Sequence, residues 1–151
     1  MVKLEHINLV VNDIEKTLDF IQTAFPSWVV RGRGESEWYG KKRQWLHVGN
    51  SDNYITLNDH ALGNNRALKS QTPGLAHIGF TVDDIEGISS RLQSKGYQIA
   101  TIGADHPYRK TLYFIDPAGF EFEFVQYLSE IPEQKNMYGG ETSQITRVAS
   151  A

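Results

Sequence analysis

The sequence contains no cysteine. That excludes disulfides, thiolate metal sites and a cysteine nucleophile, and it leaves the redox compartment open. No apolar run is long enough to span a bilayer, so no membrane partner is expected. The chain enters a strand pattern almost at its first residue, which predicts no secretory signal and a cytoplasmic location. Basic residues are not in excess: 15 Lys and Arg stand against 18 Asp and Glu, a formal net charge of −3. That balance argues against nucleic acid as a partner. The basic triplet Lys41-Lys42-Arg43 reads as a solvated hairpin turn rather than a phosphate site. With 40% apolar residues over 151 positions, the chain can bury a core and is expected to form one domain.

What the chain does have is a repeat. Residues 4–15 read LEHINLVVNDIE and residues 75–86 read LAHIGFTVDDIE, seven identities in twelve positions at an offset of 71. Such self-similarity predicts two copies of one supersecondary unit. Each copy opens on a strand. Alternation puts Ile7, Leu9 and Val11 on one face and His6 and Asn8 on the other. In the second copy Ile78, Phe80 and Val82 share the apolar face, and His77, Gly79 and Thr81 the polar one.

A helix follows each strand. Asn12 and Asp83 are the expected N-caps, with Glu15 and Glu86 three residues on, as a capping box requires. Ile14, Leu18, Ile21 and Phe25 lie at helical spacing in the first, and Ile85, Ile88 and Leu92 in the second, which stops at Gly96. Three strands are then expected in each copy. They are Trp28–Arg31, Gln44–Val48 and Tyr54–Asn58, then Tyr97–Ile102, Thr111–Ile115 and Phe120–Tyr127. The turn Asp116-Pro117-Ala118-Gly119 separates the last two. The fold class is therefore α+β: two tandem βαβββ modules forming a cupped mixed sheet with helices on its outer face. The single domain spans residues 1–128, with module one at 3–58, a linker at 59–74 and module two at 75–128. Residues 129–151 are expected to be a polar arm, in part disordered.

The closing strand adds a carboxylate. In FEFEFVQY, Phe120, Phe122 and Phe124 belong under the helix, so Glu121 and Glu123 face the same way as the histidines. A carboxylate aimed into a concave sheet needs a partner. Two imidazoles and one carboxylate on rigid strands are the makings of a divalent metal site with open positions. On the same face, Trp45 offers an aromatic wall for a planar substrate, and His47 falls roughly where Tyr113 stands in module two.

The duplicated βαβββ unit, the two strand histidines and the DPAGFEFE segment resemble the vicinal oxygen chelate superfamily. That group includes glyoxalase I, extradiol ring-cleaving dioxygenases, fosfomycin-resistance enzymes and bleomycin-binding proteins. The resemblance covers residues 3–128. It implies metal ligands on the first and last strands of the modules: His6, His77 and Glu123. A glyoxalase I would carry a glutamate in the segment Tyr54-Ile55-Thr56-Leu57, where this chain offers only Thr56. Thr56 is a poor ligand and is instead read as substrate-contacting, with Trp45 and His47. The remaining triad resembles that of extradiol dioxygenases and fosfomycin-resistance enzymes.

The segment HPYRKTLYFIDPAGFEFE, from His106 to Glu123, resembles the extradiol signature, apart from the residue at Ala104. The resemblance implies catalytic roles for Tyr113, as donor to a substrate oxygen, and for His106, as proton carrier. A fosfomycin enzyme would carry a Ser/Gly/Glu-rich potassium loop where His106-Pro107-Tyr108-Arg109-Lys110 stands. The expected activity is thus metal-dependent and extradiol-like, on a small molecule chelated through adjacent oxygens. A glyoxalase-type lyase or isomerase, a fosfomycin-type thiol transferase and a metal-free drug-binding protein are the alternatives. Iron or manganese is expected ahead of zinc or nickel, in a homodimer.

Overall fold

Both copies of the repeat fold as strand, helix and three strands in the computed structural model, which describes residues 2–140. Module one comprises β1 (His6–Val10), α1 (Ile14–Ala24), β2 (Val29–Trp38), β3 (Lys41–Gly49) and β4 (Tyr54–Asn58). Module two comprises β5 (Ile78–Thr81), α2 (Ile85–Ser94), β6 (Ile99–Ile102), β7 (Arg109–Ile115) and β8 (Glu121–Tyr127), and a short α3 (Pro132–Lys135) follows. The described residues form two four-stranded mixed sheets, ordered β1-β4-β3-β2 and β5-β8-β7-β6. In each, the first strand pairs parallel to the last and the other pairs are antiparallel. The expected cup is therefore built from two sheets that are not hydrogen-bonded to each other.

Each helix begins one residue later than the capping pattern suggested. The caps are Asp13, accepting from Lys16 N, and Asp84, accepting from Gly87 N. The reason lies in the strands. Val11 N still pairs with Asn58 O and Val82 N with Val125 O, so the chain stays extended one residue longer. Glu15 and Glu86 consequently sit within the first turn, where they favour the helix dipole. Gly96 ends α2 as expected, at φ +91°, a conformation that a side chain would strain.

The basic triplet is not a turn. Tyr39 and Gly40, both at positive φ (50° and 74°), make the two-residue reversal, and Trp38 pairs directly with Lys41. Two left-handed residues match the twist of the flanking strands, so the hairpin runs on through the triplet. Lys41 and Lys42 remain exposed. Arg43 is half-buried, its guanidinium 4.5 Å from the Trp38 ring.

The core joins the modules. Phe20 of α1 meets Phe122 of β8 edge-on, with ring centroids 5.0 Å apart, and both are fully buried. Burying one such side chain stabilises by about 1.5–3 kcal/mol, against at most about 1 kcal/mol for a surface ion pair such as Lys95–Asp19. Polar ties add direction. Arg91 of α2 donates to the carbonyls of Thr23 and Ala24 at the end of α1, both at 3.0 Å. Thr17 Oγ1 donates to Asp116 Oδ2 at 3.0 Å, and burial pushes the Asp116 carboxyl above its ordinary range. In the linker, Arg66 donates to the carbonyls of Ser70, Thr72 and Leu75, which fixes its path.

The first part of the arm makes contacts with module two. Residues 129–140 lie against module two: Lys135 Nζ sits 4.7 Å from the Tyr127 ring, and the Arg109 guanidinium 4.8 Å from the Tyr138 ring. Residues 141–151 lie outside the described part of the chain. No described helix is long and apolar enough to cross a membrane.

Candidate metal and substrate site

Strand alternation delivers the expected residues to the open faces. His77 precedes β5, and Gly79 of β5 pairs with Glu123 of β8, which in turn opposes Tyr113 of β7. His77 Nε2 lies 3.2 Å from Glu123 Oε2, and Tyr113 OH donates to Glu123 Oε1 at 2.6 Å. The His77 ring also meets the Tyr113 ring edge-on, at 5.7 Å. Gly79 leaves room for this cluster, because a Cβ there would lie 3.2 Å from Glu123 Oε2. Burial, then the bond to Glu123, pushes the Tyr113 phenol up to about 12. Tyr113 is therefore a donor at neutral pH and not a base.

An imidazole nitrogen and a carboxylate oxygen converging from rigid strands suit a divalent cation of the manganese, iron or zinc type. The third expected ligand is elsewhere. His6 stacks on Tyr54 at 4.8 Å and contacts Glu5 at 3.0 Å. Among the described residues no group of three His, Asp or Glu side chains is gathered around one point.

Module one carries an aromatic row instead. Trp45, His47, Tyr54 and His6 follow one another across β3, β4 and β1, with ring centroids 5.0, 4.8 and 4.8 Å apart. The Arg31 guanidinium sits 4.4 Å over the Tyr54 ring. Trp45 lies across the backbone of Gly34, where a Cβ would come within 3.0 Å of the indole. Thr56 opposes His47 and pairs with Asn8, so it holds the slot that Glu123 fills in module two. The same register makes His47 the counterpart of Tyr113. Burial, with His6 and Arg31 nearby, holds the His47 imidazole below its ordinary pKa.

His106 is committed to local structure. Its Nδ1 accepts from Tyr108 N at 3.1 Å, which leaves Nε2 protonated to donate to Met137 O at 2.9 Å. Both ring nitrogens are engaged, so the imidazole fastens the arm to the β6–β7 loop. It still borders a cavity of about 410 Å³ that Tyr113, Glu123, Arg109, Tyr127 and Tyr138 also line. Arg31, Tyr54, Arg109 and Tyr138 are not among the site residues expected from the sequence. Alternation already placed Tyr54 beside Thr56, and Arg109 beside Tyr113. Arg31 was hidden by the irregularity between Val30 and Gly32, and nothing local announced Tyr138.

The model of the glyoxalase/bleomycin resistance protein/dioxygenase superfamily matches residues 3–124. The chain belongs to this superfamily. Solved structures agree on its shape. A glyoxalase family protein from Bacillus cereus superposes with a TM-score of 0.72 at 15% identity, covering 85% of this chain and 96% of that one. Fosfomycin resistance protein FosX from Listeria monocytogenes, complexed with Mn(II) and sulfate, gives 0.61 at 19% identity, covering 89% and 98%. A mutant of the Listeria protein, complexed with Mn(II) and 1S,2S-dihydroxypropylphosphonic acid, gives 0.64 at 19%, with the same coverages. At these identities the likeness is one of fold, and this superfamily member's own residues must carry any assignment of chemistry.

Proposed function

We propose that this superfamily member is a metal-dependent enzyme acting on a small substrate held through two neighbouring oxygens. The observation that carries the reading is the His77–Glu123–Tyr113 cluster, in which an imidazole and a protonated phenol meet the two oxygens of one carboxylate. His77 and Glu123 would hold the ion from module two. Because no third His, Asp or Glu gathers at His77 and Glu123 among the described residues of one chain, the third ligand would come from His6 of a second copy in a symmetric homodimer. Bound there, a divalent ion would supply Lewis-acid activation of the substrate oxygens.

The chain's own residues do the rest. Tyr113, fixed as a donor, holds its proton between Glu123 and an incoming oxygen. Trp45 and His47 of module one, with Thr56 at the empty ligand slot, would wall the substrate from the opposite face. Oxygenative cleavage of a vicinal diol is the reaction favoured by the spacing of Tyr113 and Glu123 within the segment from His106 onward. A fosfomycin-type thiol transfer is the second reading, supported by the Mn(II)-bound structures of similar fold.

Metal analysis of protein purified without chelator tests the assignment. One equivalent per site of iron or manganese is expected, and it should fall sharply in the His77→Ala and Glu123→Ala proteins. Full metal content in His77→Ala would refute it. A parent protein that takes up no metal yet binds aromatic ligands would be a binding protein instead.

A further inference from the structure

The floor of the module-two cavity is a ladder of three opposed pairs on one face: Arg109 with Tyr127, Thr111 with Val125, and Tyr113 with Glu123. One end is accounted for. Glu123 is satisfied by Tyr113 and His77, the proposed chelating end. At the other end stands Arg109, half-buried and lining the same cavity. No ion pair joins Arg109 to a described carboxylate, although Asp105 lies on the cavity wall. Its contact is the Tyr138 ring, 4.8 Å from the guanidinium. Tyr138 is brought there by the arm, which the His106 bond to Met137 O fastens in place.

A guanidinium stacked on an aromatic face is held in plane with its N–H edges directed outward, ready for a two-oxygen anion. From the end rung to the Glu123 rung is about 13 Å of strand before the side chains reach inward. That is the scale of one small molecule with its acid at one end and vicinal oxygens at the other.

The geometry points to Arg109, clamped by Tyr138 of the C-terminal arm, as the anchor for an oxyanion on the substrate. The substrate class is a small carboxylate or phosphonate that also bears adjacent oxygens. This rests on the reading of His77 and Glu123 as the chelating end, and it adds the arm to the binding site.

Matched probes on the Mn²⁺-loaded full chain test it by calorimetry. 3,4-Dihydroxybenzoate is compared with its methyl ester, and 2,3-dihydroxypropylphosphonate with propane-1,2-diol. The parent should prefer the anionic member of at least one pair by about tenfold or more, and the pair concerned tells carboxylate from phosphonate. Arg109→Gln should abolish that preference while leaving the neutral member within about twofold, and Arg109→Lys should restore part of it. A purely structural arginine would weaken both members alike, and that result would overturn the proposal. So would a parent without any preference, whether both members bind equally or neither binds. Unchanged anion affinity in Tyr138→Leu would overturn the clamp. Mn²⁺ uptake is followed separately by its EPR signal. Anion preference without uptake would refute the metal reading, and with it the chelating end of this proposal, while keeping Arg109 as the oxyanion anchor.

Discussion

Tyr113 and Glu123 face each other across a directly opposed antiparallel rung, 2.6 Å from phenol oxygen to carboxylate oxygen. The same rung in module one holds His47 and Thr56. One duplicated scaffold thus presents a donor–carboxylate pair on one side and an imidazole–hydroxyl pair on the other, and only the first has the makings of a metal centre.

Tyr113→Phe removes the donor without touching a proposed ligand. Metal content should stay at the parent level, while turnover of a vicinal diol by the ferrous protein falls by about tenfold or more. Since the folded phenol is pushed up to about 12, its hydrogen bond is complete below the ordinary tyrosine range and is lost only as pH rises through the folded value. Parent and variant should therefore share one alkaline limb below pH 10, a value taken from the ordinary tyrosine range near about 10. Oxygen uptake against pH measures this, with Glu123→Ala as the blank.

His6→Ala and Glu123→Ala proteins should each bind little metal alone. After mixing under conditions that exchange subunits, a site shared between two copies regains His6 from one and His77 with Glu123 from the other. Metal binding should return to one site per mixed dimer. If both ligand sets belong to the same chain, mixing restores nothing, and atomic absorption separates the cases.

Asp116 ties α1 to the turn before β8. Its carboxylate accepts from Thr17, from Ala118 N at 3.1 Å and from Phe120 N at 2.7 Å. Asp116→Ala leaves these groups buried and unpaired, at a cost of about 2–4 kcal/mol in urea unfolding. Asp116→Asn keeps an acceptor and should cost about 1 kcal/mol or less. Burial raises the Asp116 pKa, so its contribution is fullest below the unfolded carboxylate value and declines as pH rises through the folded one. The Asn protein should lack that decline between the two values.

Arg91→Ala should loosen the modules from one another. Losing two charge-assisted bonds to the α1 carbonyls predicts about 1.5–3 kcal/mol of destabilisation. Arg91→Lys should recover only part of it, because one ammonium does not reproduce the fork. Hydrogen exchange at the end of α1 provides a local readout.

Most of the fold was legible in the chain. Period-two and period-3.6 patterns are local, so the strands, the helices, the buried face of each and the open-face placing of His6, His77, Glu123, Trp45 and His47 follow from side-chain alternation alone. The errors were also local in cause. One further ladder bond shifted each N-cap, and a turn at Tyr39-Gly40 outweighed a basic triplet that looked solvated.

Long-range relationships were a different matter. Alternation says which way His6 points but not what it meets, and packing set it against Tyr54. The polarity of the chain after Ser129 said nothing of where it lies, and Met137 and Tyr138 meet His106 and Arg109. Such partners lie about thirty residues apart in sequence, and no periodicity relates them. By itself, the sequence determined which side chains share each face. Only the tertiary structure decided which of them meet, because that depends on how two sheets and an arm pack on one core.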